Sequence, residues 1–269
     1  MDMYWVYELH SWQFGVLTVG LLVSVSLSAF VLTRSWIRSS FRLSDATNEP
    51  VSGFFSGVGV FYGLLLGQVA VTAWQNVDNA DALISREATE ADTFYRNISV
   101  MPEPYKTRLQ DGVRDYLHYM VEVVWPAHQH GDSSTEATVI ITRMHKVLSS
   151  FAPGNEGEKI IFAAAYMSFN KFLEARHLRI DSVRGSLPTE LWVVVILGGV
   201  LNIGVTFFFH MRDRKAHYFL TGALAVFVGL MIFLVATMDD PFRGPNGVSP
   251  ESYQRVLSNL DKLDPAFLN

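Results

Sequence analysis

Four stretches of about 20 residues, none containing an Asp, Glu, Lys or Arg, constrain this chain more than any other feature of its sequence. They run from about Phe14 to Thr33, Gly53 to Trp74, Leu191 to Phe209 and Tyr218 to Thr237. About 20 apolar residues of helix cross a hydrocarbon core of roughly 30 Å, and only helices and closed barrels satisfy their own backbone groups there. No strand alternation accompanies the runs, so the expectation is an all-α membrane protein with four transmembrane helices in two pairs. Trp12 and Trp36 bracket the first run, Trp74 ends the second and Trp192 opens the third, where interfacial aromatics belong. The opening MDMYWVYELH has no basic residue of the kind a signal peptide carries, so the first run reads as a retained helix.

With 49% hydrophobic and 17% charged residues, an ordinary soluble domain is disfavoured. The net charge of -5 offers no basic face for phosphates, which argues against a nucleic-acid partner. The absence of cysteine removes disulfides, thiolate catalysis and Cys-ligated zinc. Arg34, Arg38 and Arg42 follow the first run, and Arg212, Arg214 and Lys215 lie between the third and fourth. The positive-inside rule makes both short loops cytoplasmic and puts the long insert and both termini on the outer side.

The expected layout is a first transmembrane pair over 1–74, a helical extramembrane insert over 75–190, a second pair over 191–237 and an extramembrane tail over 238–269. Beyond Gln75 no Pro or Gly intervenes, and Ala80, Leu83, Ile84, Ala88, Ala91 and Tyr95 form a helical stripe, so the second span should continue out of the membrane until Met101-Pro102-Glu103-Pro104. A helix from Tyr105 should end at Trp125-Pro126, with further helices over Glu136 to Phe151 and Glu156 to Val183. An insert of about 115 residues is a marginal bundle on its own, which points to a homo-oligomer.

Gly57, Gly59, Gly63 and Gly67 give the second span a face of small residues. Such a face serves either packing against helices of the same chain or a pore-lining or subunit-facing role. Phe54, Phe61 and Tyr62 are candidates for an apolar constriction. Arg86, Glu87 and Glu90, near the returning Arg176, Arg179 and Arg184, are read either as solvated surface ion pairs or as charges around a vestibule. His128 and His130 lack a third ligand at metal-binding spacing, and no catalytic triad, phosphate loop or dinucleotide motif occurs. No enzyme, metal or cofactor is therefore expected.

Met238-Asp239-Asp240-Pro241-Phe242-Arg243-Gly244, the run from Gly63 to Arg96, Val123-Val124-Trp125-Pro126 and Leu187-Pro188-Thr189-Glu190-Leu191-Trp192 together resemble the bacterial bestrophin-like domain family. The resemblance covers nearly all of the chain after Gly53. It implies a pentameric channel, with anions favoured, in the bacterial inner membrane, whose axial pore is lined by the second helix, and it marks Trp125, Pro126, Trp192, Asp239, Asp240, Pro241, Phe242 and Gly244 as family positions. Two features depart from bestrophins. The acidic calcium-holding cluster is absent, since Pro245 to Pro250 follows Gly244, and the bestrophin bulk domain is cytosolic whereas the charge bias puts this insert outside. The sequence supports an ion channel in a lipid bilayer; the alternative is a membrane-anchored sensor or scaffold whose insert binds a ligand or partner without conducting.

Overall fold

The computed structural model describes residues 10–129, 136–183, 187–242 and 247–262, and among them the regular structure is entirely helical. Helix α1 spans Ser11–Ser40, α2 Asn48–Ile98, α3 Tyr105–Tyr119, α4 Trp125–Gln129, α5 Glu136–Ser149, α6 Glu156–Ser182, α7 Thr189–Thr206, α8 Arg214–Met238 and α9 Glu251–Lys262. Among the described residues, four helical segments are long and apolar enough to cross a membrane: Ser11–Ser40, Asp45–Ile98, Thr189–Thr206 and Arg214–Met238. Two units emerge. One holds α1, α2 through Asn76, α7 and α8; the other holds α2 from Val77, α3 to α6, Pro241, Phe242 and α9.

In the first unit α1 lies along α8, where Gly229 lets the backbones approach, since a Cβ there would come within 3.1 Å of the Val19 backbone. Tyr62, Leu66, Val69 and Ala73 of α2 recur at helical spacing and pack with Val195, Ile203, Ala225, Val228 and Val235. Gly198 and Gly199 of α7 make room for Tyr62, because a Cβ on Gly198 would stand 2.6 Å from its ring.

In the second unit Ala80, Ile84, Ala88, Ala91, Phe94 and Ile98 form the buried stripe of α2. Against it pack Leu109, Val113, Tyr116 and Leu117 of α3, Met144 and Leu148 of α5, Phe169 and Phe172 of α6, and Tyr253 and Leu260 of α9. Asn155 caps α6 by accepting the Glu158 backbone N–H at 2.9 Å, leaving Glu156 and Glu158 at the positive helix end.

Three boundaries differ from expectation. The helix that begins at Tyr105 does not stop at Trp125-Pro126; it widens to π geometry over Met120–Val124 and runs on to Gln129. Proline lacks the N–H for the regular ladder, and the Trp125 N–H bonds to the Met120 carbonyl five residues back, so the wider turn carries the chain past Pro126. The third span ends at Thr206, where Phe207, Phe208 and Phe209 close onto Gly204, Val205 and Thr206 by tighter turns. The tail after Met238 contains α9, whose Tyr253, Leu257 and Leu260 are buried.

Candidate functional site

On the membrane part of α2, the side opposite the Tyr62, Leu66, Val69 and Ala73 stripe has no partner among the described residues. A Cβ added to Gly57, Gly63 or Gly67 would meet nothing within 4 Å, and Gly59 alone of these faces α7, near Asn202. The glycine face therefore does not serve intrachain packing except at Gly59. Close helix approach inside the unit uses Gly198, Gly199 and Gly229, which composition alone did not single out. Phe54 and Phe61 are 62% and 76% exposed. Tyr62 belongs elsewhere: it is buried, and its hydroxyl donates to the Val195 carbonyl at 3.0 Å. Farther along, Asp78 and Asp81 are exposed and carry no ion pair among the described residues.

The three charges grouped as vestibule candidates separate in the structure. Arg86 is an exposed side chain 3.5 Å from Glu174, and Glu90 is half-buried. Glu87 is fully buried, as the helical stripe dictates, because it falls between Ile84 and Ala91 on the face that enters the core. Its carboxylate accepts from Arg179 Nε, from the Tyr116 hydroxyl and, at 3.0 Å, from the Tyr253 hydroxyl. The solvated reading fails for Glu87 and Arg179, and a vestibule role fails for Glu87 for the same reason. One carboxylate thereby ties together α2, α3, α6 and α9.

Burial, reinforced by Glu87, raises the Tyr116 and Tyr253 hydroxyls far above the usual phenol range, so both stay neutral donors. Burial works against the Arg179 charge, but the Glu87 carboxylate outweighs it and holds the guanidinium charged. Arg179 Nη2 also lies 3.9 Å from Met120 Sδ, at the start of the π turn. Nearby His128 is pushed down to about 4, first by burial and then by Arg179, with Glu87 pulling the other way.

Several of the family positions make structural contacts. Asp239 accepts the Leu187 backbone N–H at 2.7 Å and Trp192 Nε1–H at 2.9 Å, which joins the end of α8 to the start of α7. In the other unit Trp125 packs 6.0 Å from both Phe242 and Tyr253, and the Pro241 carbonyl accepts the Val248 N–H at 2.8 Å. Pro126 occupies the second position of α4, and Asp240 follows Asp239 at the end of α8. Gly244, Arg184 and His130 lie outside the described residues.

The sequence pattern of the Bestrophin-like domain matches residues 20–253. The chain belongs to the bestrophin-like family. A search of curated proteins finds no match. Among solved structures, a point mutant of a bacterial bestrophin homologue from Klebsiella pneumoniae superposes with a TM-score of 0.67 at 13% identity, over 93% of this chain and 99% of that one. The same homologue solved by Zn-SAD phasing gives 0.66 at 13% identity, over 91% and 96%. A point mutant described as a membrane protein gives 0.61 at 17% identity, again over 91% and 96%. At such identities the likeness establishes the fold: this is a membrane protein with a bestrophin-type fold.

Proposed function

We propose that this bestrophin-like chain is one protomer of a homo-oligomeric ion channel, pentameric by its resemblance, with α2 nearest the axis. The observation that carries the proposal is the unpartnered face of α2, where Gly57, Gly63 and Gly67 open onto free space and Phe54 and Phe61 project outward. A single chain would expose an uncovered helix of this kind, whereas a ring of copies gives it neighbours and an axis. Phe54 and Phe61 then form apolar rings that resist wetting.

The resemblance favours anions, but the exposed Asp78 and Asp81 on the same helix favour cations, because each would appear once per subunit around the pathway. Reversal potentials in asymmetric salt decide between the signs. Conduction, with no catalytic step, is the role we assign. We place the protein in the bacterial inner membrane with the insert and both termini on the outer side. An impermeant thiol reagent on intact cells should then label a cysteine at Ser258 and spare one at Ser40; the reverse pattern overturns that orientation. Particle images of the purified protein test the assembly: a ring with an axial hole supports the channel, and a monodisperse monomer favours the sensor or scaffold reading.

A further inference from the structure

At the end of the first unit where α1 finishes and α8 begins, cationic side chains accumulate that make no ion pair among the described residues. Arg38 lies one turn after Arg34, within electrostatic reach of both Arg34 and Arg214. Arg34 sits over the Phe30 ring at 5.6 Å, and its Nη2 is buried without a hydrogen-bond partner. The buried His217 ring also lies against Phe30, at 4.4 Å, within electrostatic reach of Arg34 and Arg38. His217 Nε2 engages the Thr206 carbonyl at 2.8 Å, while Nδ1 is buried and unpartnered.

The acids close by are already engaged. Asp45 pairs with Arg212 at 3.1 Å, and Asp213 caps α8 by accepting the Lys215 N–H at 2.8 Å. Arg34, Arg38 and Arg214 form no ion pair among the described residues. Arg214 opens α8 as an exposed side chain, so its guanidinium is open to a ligand from outside the chain. Immediately along the two helices, Val31, Leu32, Phe219 and Leu220 are exposed, with Trp36 exposed at the charged level. A guanidinium fork beside apolar residues that face lipid suits a phosphate carrying acyl chains better than a free ion.

We propose that Arg34, Arg38 and Arg214 bind the phosphate of an anionic phospholipid, with its chains lying along the exposed apolar residues of α1 and α8. The proposal requires a membrane protein and holds whether or not ions are conducted. Native mass spectrometry with phosphatidylglycerol and phosphatidylcholine as probes tests it on the purified full chain. Phosphatidylglycerol should bind at least ~10-fold more tightly than phosphatidylcholine, and Arg34→Gln/Arg38→Gln should remove that preference. The variant Arg34→Lys/Arg38→Lys should retain part of it, and Arg255→Gln, on α9, should retain all of it. If the double glutamine variant fails to fold, the exposed Arg214→Gln should still weaken phosphatidylglycerol binding ~3-fold. Equal binding of the two lipids, unchanged preference in the variants, or displacement of phosphatidylglycerol by low-millimolar inorganic phosphate overturns the proposal, the last showing a free-phosphate site.

Discussion

In the unit built from α1, the first part of α2, α7 and α8, Tyr62, Asn202, Thr206 and His217 are buried, and each turns to a backbone carbonyl. In the other unit the carboxylate of Glu87 and the guanidinium of Arg179 are buried together and ringed by Tyr116 and Tyr253. The contrast shows two ways to make an all-helical interior specific. Between lipid-facing helices, these side chains find carbonyls that the ladder already supplies, so they need no buried ion pair. The other unit instead gathers four elements on one charge, which makes its geometry depend on a single ion pair and its donors.

The largest expected effect comes from breaking that pair. Arg179→Leu should lower stability by about 3–5 kcal/mol, because Glu87 would remain buried without its cation. Glu87→Leu/Arg179→Leu should recover much of the loss, since both charges then disappear. Unfolding midpoints of the purified variants test this; a single variant as stable as wild type would remove the distinction between the units.

Next in size are the glycines. Gly198→Leu should cost about 1–3 kcal/mol in the protomer, as the added bulk strikes the Tyr62 ring. Gly63→Leu meets open space in the chain and should leave protomer stability within about 0.5 kcal/mol while weakening assembly. Thermal denaturation separates the first effect, and sizing or mass photometry separates the second. Equal behaviour of the two variants would mean that the glycine face of α2 has no outside partner.

A separate effect, confined to acid pH, is on pH dependence. His128 is held at about 4 in the fold against its ordinary 6.5, so between those values the unfolded chain binds more protons. Its contribution is therefore complete above about 6.5, falls as pH drops through the window and declines no further below about 4. His128→Gln should flatten the wild-type fall in melting temperature across that window, and identical pH profiles would contradict the assignment.

The four spans were legible because the bilayer demands a length and an apolarity that few other structures produce. The continuation of α2 and its end ahead of Pro102, at Ile98, were legible for similarly local reasons. Glu87 was not placed correctly, although its position between Ile84 and Ala91 puts it on the buried stripe; charge suggested surface where periodicity pointed inward. Its partner Tyr253 stayed hidden because the tail was not read as a helix, despite Tyr253, Leu257 and Leu260 at helical spacing after Pro250. The roles of Asp239 and Trp192 required three dimensions, since 47 residues separate the two ends of their hydrogen bond.

Conductance of a sized oligomer in planar bilayers tests the account most directly. Wild type should pass ions, and Phe61→Ser, which places a polar group on the unpartnered face of α2, should raise conductance or open probability. Tyr62→Ser, one residue away but inside the protomer, should lower stability without that increase. Electrical silence of wild type, Phe54→Ser and Phe61→Ser, with the oligomer verified in the same membranes, would contradict the channel and favour a sensor or scaffold.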